Sequence, residues 1–219
     1  MAEAWRRLRA RVAERGIGRT LAKAFGDHVF RATTSVMLDY RPEWKAVAPN
    51  SALPPAVRFV TIRTPDAVPP LGSWLAARAA DFSAMLAAGK IGLFVLHDER
   101  AVGCCWIALA DHHDARARES YPVPPGEAYH YCLLVDPARR AALALPLCRE
   151  ALALLRGLGI RRQFCVIDRM NRPSFQIHLR FGYRECGVRV RHFHLFGRRW
   201  TRLSRYRGTL GLHPRARRA

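Results

Sequence analysis

A proline, two arginines and the start of a long apolar helix follow one another at residues 137–145, directly after an apolar run that ends at Val135. The amide N–H groups at a helix start have no intrahelical acceptor, and the helix dipole is positive there. With Arg139 and Arg140 adding charge, this is a place for a phosphate group. Metal chemistry has less support. The six cysteines (104, 105, 132, 148, 165, 186) include no C-x-x-C pair, and Cys104 and Cys105 point to opposite faces of a strand. They read as small core residues of a reducing cytoplasm. His192 and His194 share a strand face but lack a third ligand, so no metal is expected. Arg189, Arg191, Arg198, Arg199, Arg202 and Arg205 crowd the last two apolar stretches. Two readings stand for them: a wall that suits an acidic or phosphorylated partner, or a solvated face.

These groups are positioned by a chain of 219 residues, half of them hydrophobic, enough for one domain with a sizeable core plus an extension. Val57–Arg63 reads as a strand, 73–88 as a helix closed by Gly89, and Ile91–Leu96 and Ala101–Ala110 as a hairpin turning at His97–Arg100. Residues 111–126, with three prolines, read as a polar surface loop. Ala128–Val135 is a strand, Arg140–Leu158 a helix closed by Gly159, Gln163–Asp168 a strand and 172–181 a short helix. Strands at 184–196 and 200–206 follow. This order predicts an α/β (α+β) fold, a mixed and mostly antiparallel sheet with helices on both faces.

The compact domain is expected over 57–206. Residues 1–56 read as a basic N-terminal extension: one or two helices over 1–30, a strand at Phe30–Tyr40 and a proline-rich linker over 41–56. Residues 207–219 read as a loose basic tail. Net charge is +20, and it is uneven: residues 1–31 carry eight basic and three acidic side chains, and 187–219 carry ten arginines and no acid. Such a field attracts phosphates, nucleic acid or an anionic membrane. The first helix either packs on its own domain or lies peripherally on a membrane surface. No apolar run reaches the ~20 residues of a membrane-spanning helix, and no signal core precedes the domain, so a cytoplasmic protein is expected.

The ordered set of strand, V-x-P, arginine, long helix, Leu-Gly, strand and then N-x-x-[AS]-x-x-x-[YH]-x-[KR]-x-G-[FY] resembles the GNAT (Gcn5-related) N-acyltransferases. Asn171, Ser174, His178, Arg180, Gly182 and Tyr183 fall on the last pattern. The resemblance spans the domain, with its specific part between Leu133 and Tyr183. It implies acetyl-CoA, or another acyl-CoA, as cosubstrate. The strand before V-x-P would splay from its neighbour, with backbone groups at Leu133, Leu134 and Val135 holding the pantetheine arm. Arg140, Ala141, Ala142, Leu143, Ala144 and Leu145 would hold the pyrophosphate, and Asn171 and Ser174 the pantetheine region. His178 stands where the family often has tyrosine, and there it would protonate the departing thiolate. The chain departs from the family at the two small positions of its phosphate loop, R-x-x-G-x-G/A, which here are Leu143 and Leu145. Their side chains either point away from the amides or close the site. Pro146 is expected in the first helical turn, where a missing N–H is tolerated.

An amine acceptor must lose a proton, and Glu127 at the start of the central strand is the first candidate base, ahead of His130, His112, His113 and Asp114. The leading expectation is thus acyl transfer from acyl-CoA to an amine acceptor, acidic or phosphorylated in one reading. The alternative is a catalytically silent binding module held on an anionic membrane or nucleic acid by its basic ends. No specific nucleic-acid motif is present. A homodimer is one of the open oligomeric states.

Overall fold

The computed structural model describes residues 29–41, 56–114 and 119–210, together with residues 17, 18, 25 and 53. Of the stretch 1–30 expected to be helical, residues 17, 18, 25, 29 and 30 are among these: 17, 18 and 25 are helical, 29 lies in a turn and 30 begins a strand. Most of the expected linker, residues 115–118 and the tail from residue 211 lie outside the described residues.

Among the described residues ten strands occur in chain order: β1 (Phe30–Tyr40), β2 (Val57–Ile62), β3 (Ile91–His97), β4 (Arg100–Ala108), β5 (His112–Asp114), β6 (Glu119–Tyr121), β7 (Glu127–Val135), β8 (Arg162–Asp168), β9 (Arg184–Leu195) and β10 (Arg198–Arg205). Helices are α1 (Ser73–Ala76), α2 (Ala79–Ala87), α3 (Arg140–Gly157) and α4 (Arg172–Arg180). Eight strands form one sheet in the order β10-β9-β1-β8-β7-β4-β3-β2, antiparallel throughout except for the β7–β8 pair. β5 and β6 make a separate ribbon. This is the mixed, mostly antiparallel α/β architecture expected.

Period-two alternation sets the two faces of the sheet. Leu93 and Val95 of β3 turn to one face, where α3 covers them with Leu143, Leu147 and Ala151. Phe94 and Leu96 turn to the other, under Leu75 of α1 and Phe82 and Leu86 of α2. There Trp106 packs 5.4 Å from Phe82 and 5.8 Å from Phe94, ring centre to ring centre. Phe175 of α4 joins α3 on the first face, against Leu38 and Ile167. The β5–β6 ribbon joins α2 on the second, through Tyr121 against Tyr129. The β3–β4 hairpin turns through Asp98 and Glu99, both at positive φ, the geometry of a tight two-residue turn.

Three expectations change. β1 was placed in an extension outside the domain, but it lies in the sheet between β9 and β8, with Val36 and Leu38 fully buried. The proline-rich stretch after it separates two strands of one sheet, so the sheet takes in Phe30–Tyr40 and is not confined to residues 57–206. The single helix over 73–88 is two, with Arg78 non-helical between them. Its start is tied to the sheet by the Gly72 N–H, which donates to the Ala101 carbonyl at 2.9 Å; a Cβ on Gly72 would sit 2.9 Å from that oxygen. The polar loop over 111–126 contains the β5–β6 ribbon. No helix among the described residues is long and apolar enough to cross a membrane.

Candidate functional site

β7 and β8 pair only at Glu127–Arg162, Ala128–Gln163 and Tyr129–Phe164, and beyond these residues they part. On the other flank of β7 the register against β4 slips: Trp106 faces Tyr131 and Cys104 faces Leu134, so Cys132 and Leu133 together stand opposite Cys105. This is a β-bulge, which bends a strand and frees backbone groups from the ladder. Cys132 adopts φ 54°, a left-handed conformation that costs a non-glycine residue on the order of 1 kcal/mol. Splay and bulge open a groove of about 200 Å³ whose lining includes His130, Tyr131, Cys132, Leu133, Asn171 and His178.

His178 sits on α4 with 4% of its surface exposed. Its Nδ1 lies 2.7 Å from the Ser174 carbonyl. A carbonyl only accepts, so Nδ1 carries the proton and Nε2 is the lone-pair nitrogen. Burial lowers the pKa, and the Ser174 carbonyl opposes this only in part. The resting imidazole is therefore a neutral proton acceptor, whereas the role implied by the resemblance, proton donor to a thiolate, needs an imidazolium. Six ångströms away, ring to ring, is His130, 2% exposed, whose pKa burial pushes down to about 3. The Tyr183 hydroxyl donates to Gln163 Oε1 at 3.1 Å and stands 3.3 Å from His130 Nδ1. With the tyrosine proton committed, His130 Nδ1 donates to it, and Nε2 is a buried acceptor with no partner among the described residues.

Asn171 caps α4: its Oδ1 accepts from the Ser174 amide at 3.4 Å, which leaves its side-chain NH2 to offer a ligand in the groove. Ser174 lines the groove beside it. Of the strand residues, Leu133 lines the groove, Leu134 faces Cys104 of β4, and Val135 is buried with its carbonyl 3.5 Å from the Arg140 guanidinium.

At the start of α3, Asp136 organises the turn. It accepts from the Ala138 amide at 3.0 Å and pairs with the Arg139 guanidinium at 2.9 Å. The Ala142 and Leu143 amides turn back to the Arg139 carbonyl, so Arg140 and Ala141 supply the outward amides of this helix end. Arg140, Ala141 and Ala142 are exposed. Leu143 is 1% exposed and Ala144 is buried beside it, both in the core with Val95, Val135 and Leu147. Leu145 is half-buried against the cluster that holds Cys148 and Phe175. Both leucines therefore point away from the outward amides, and neither obstructs them. Pro146 is corrected from the first helical turn to the second, because the helix starts at Arg140; a proline there has no N–H for the Ala142 carbonyl.

The structure does not bring Glu127 to the groove. Its carboxylate lies at the paired end of β7 and β8 and receives the Arg162 guanidinium at 2.6 Å, which also holds Asp39 at 3.1 Å. Strand pairing, which keeps that end closed, separates Glu127 from the splay. His192 is likewise engaged, 3.1 Å from Thr201 Oγ1 and 3.2 Å from Glu119 Oε1.

A feature that sequence reasoning missed lies on the α2 face of the bulge. A second cavity, of about 360 Å³, is lined by Arg78, Asp81, Lys90, His112 and Asp114, and it shares Tyr131 and Cys132 with the groove. His112 was read as a loop residue; β5 buries it to 6% exposure, its ring 4.5 Å from that of Tyr131 and 4.9 Å from that of Tyr129. Its pKa falls to about 4, through desolvation first and then the charge of Lys90. The signal in the sequence was Tyr121 and Val123, two spaced apolar side chains within a stretch otherwise polar and rich in proline.

The splay and the helix that follows it are features the GNAT resemblance implied, and the chain has a GNAT-type fold. No family model and no curated protein matches the sequence. Solved structures similar to it include a tandem GNAT protein from the clavulanic acid biosynthesis pathway, at 14% identity and TM-score 0.46, covering 77% of this chain and 55% of that one. A GCN5-related N-acetyltransferase from Kribbella flavida is 14% identical with TM-score 0.45, covering 90% and 66%. An acetyltransferase of the GNAT family from Colwellia psychrerythraea is 11% identical with TM-score 0.49, covering 72% and 54%. The chain thus spans between about half and two-thirds of the length of these proteins.

Proposed function

We propose that this protein is an acyl-CoA-dependent N-acyltransferase, with acetyl-CoA as the favoured donor and an amine as acceptor. The observation that carries this reading is the meeting of two cavities at the Tyr131–Cys132 bulge, one in the strand splay and one on the opposite side. A donor and an acceptor that enter from different sides react only where their paths join. The residues fit the donor. The outward amides at Arg140 and Ala141, with the guanidinium groups of Arg139 and Arg140, suit a pyrophosphate. The splayed strands leave backbone groups near Leu133 for an amide-bearing arm, and Asn171 adds its NH2. Buried His130 Nε2 lacks a donor that such an arm has to give. A backbone amide released at the bulge can polarise the thioester carbonyl, and a fixed dipole of that kind accounts for much of the acceleration in acyl transfer. His178 Nε2 is placed to orient a hydrogen-bond donor in the groove.

Calorimetric titration with acetyl-CoA tests the reading. Saturable binding is expected, weakened about tenfold or more by Arg140→Ala and by Asn171→Ala, the loss typical of one hydrogen bond with a charged or well-oriented group. Absence of binding to acetyl-CoA and to longer acyl-CoA would refute it.

A further inference from the structure

Taking the acyl-transfer reading as its basis, we propose that the cavity on the α2 side of the bulge binds a small primary amine that also carries an anionic group, and that His112 is the base that receives the proton of its nitrogen.

Two side chains that line the cavity each bring a polar atom without a partner among the described residues. His112 Nδ1 and Tyr131 Oη are buried and have no hydrogen-bond partner among the described residues. Buried polar groups are nearly always satisfied, so a ligand is the natural source of the missing bonds. Both side chains line the cavity, their rings are 4.5 Å apart, and Tyr131 reaches the groove as well. An amine that donated to these two side chains from the cavity would stand next to the bulge, where the thioester carbonyl is placed by the donor reading.

The cavity's charges describe the rest of the ligand. Asp81 and Asp114 line it and favour an arriving ammonium group, while Arg78 and Lys90 favour an anion. Lys90 is the more telling of the cations. It is 8% exposed, and its ammonium donates to the Asp111 carbonyl at 3.1 Å. An ammonium has three donors. Burial lowers its pKa, with Asp111 opposing, so an anionic group would remove a penalty already built into the fold. A bare alkylamine meets only half of this lining.

The chemistry balances simply. The arriving ammonium first gives one proton to solvent; the freed amine lone pair then bonds to the thioester carbonyl carbon, the C–S bond breaks, and the sulfur departs with its electron pair as thiolate. The nitrogen becomes positively charged as its new bond forms, so its N–H turns acidic enough for a weak base, and neutral His112 takes that proton. The imidazolium returns it to solvent and the thiolate takes one from solvent, which leaves an amide and a free thiol. His112 is faced by Lys90, Asp114 and His113 among charged and titratable groups, and by Tyr121, Tyr129 and Tyr131. Desolvation first, and then the charge of Lys90, outweigh Asp114 and keep it neutral and ready to accept at physiological pH.

The test measures free CoA released from acetyl-CoA in the presence of O-phosphoethanolamine, β-alanine or ethylamine. Release well above that from acetyl-CoA alone is expected with the two anionic amines and not with ethylamine; the better of the two identifies phosphate or carboxylate as the anion. His112→Gln should lower kcat about a hundredfold, the usual worth of a positioned base, with acetyl-CoA affinity unchanged. That unchanged titration also shows the variant is folded. Lys90→Met should raise KM for the anionic amine about tenfold and spare kcat. Equal stimulation by ethylamine would overturn the anionic class. Full turnover by His112→Gln would overturn the base. Stimulation by none of the three, while acetyl-CoA still binds, would overturn the acceptor assignment and leave the donor reading standing. Loss of acetyl-CoA binding by the unmodified protein would instead overturn the acyl-transfer reading.

Discussion

At pH 5 the folded protein is expected to be about 4 kcal/mol less stable than at pH 7. Burial holds His130 at about 3 and His112 at about 4 in the folded state. Both lie below the value of ~6.5 for an unfolded chain. Above that value neither state binds the protons and stability is complete. As the pH falls below it, the unfolded chain takes up two protons that the native chain refuses. Each histidine then removes ~1 kcal/mol of stability per pH unit until its folded value is passed. His178, lowered by the same desolvation, works in the same direction. A total stability of ~5–15 kcal/mol makes this a large fraction. Urea unfolding at pH 7, 6 and 5 measures it, and His130→Leu should reduce the slope by its share. A midpoint that does not move, or that rises on acidification, contradicts the burial of these imidazoles as neutral groups.

The second large effect is expected at the closed end of the same strands. Arg162→Met should cost about 3 kcal/mol of stability. The Asp39 side chain is 7% exposed, and Arg162 is its 3.1 Å ion-pair partner, so the substitution leaves a carboxylate buried without that partner. Glu127, the other carboxylate on this guanidinium, is more accessible. Glu127→Gln should therefore cost less than ~1 kcal/mol and leave the rate of acyl transfer unchanged. Denaturant unfolding of both variants, with CoA release alongside, separates the two roles. A collapse of turnover in Glu127→Gln at normal stability would restore Glu127 as the base.

What the sequence made legible was mainly what is local. The run from Leu133 to Tyr183 held because a strand, a capped turn, a long apolar helix and an asparagine-capped helix each carry their own signals within a few residues. Glu127 misled for a non-local reason. Its neighbours in sequence gave no sign of Arg162 or Asp39, which reach it across three strands of the sheet. For Leu143 and Leu145 the pattern left two directions open, away from the amides or into the phosphate loop, because which way a helical side chain points depends on what packs on it, here β3 and α4. The strand at Phe30–Tyr40 was legible, but its place in the middle of the sheet was hidden by the prolines that follow it, which read as a boundary. His112 was among the candidate bases, but its burial was not legible, since that comes from tyrosines on β6 and β7 and not from any alternation in its own segment.

The claim on which the account rests is that the groove between β7 and β8 takes an acyl-CoA. Hydrogen–deuterium exchange with and without acetyl-CoA tests it at the residues themselves. The account predicts slower exchange in three places on addition of ligand: residues 130–135 at the bulge, 140–142 at the start of α3, and 171–174 at the start of α4. Unchanged exchange at all three segments, or protection confined to β9 and β10 with their arginines, would contradict it.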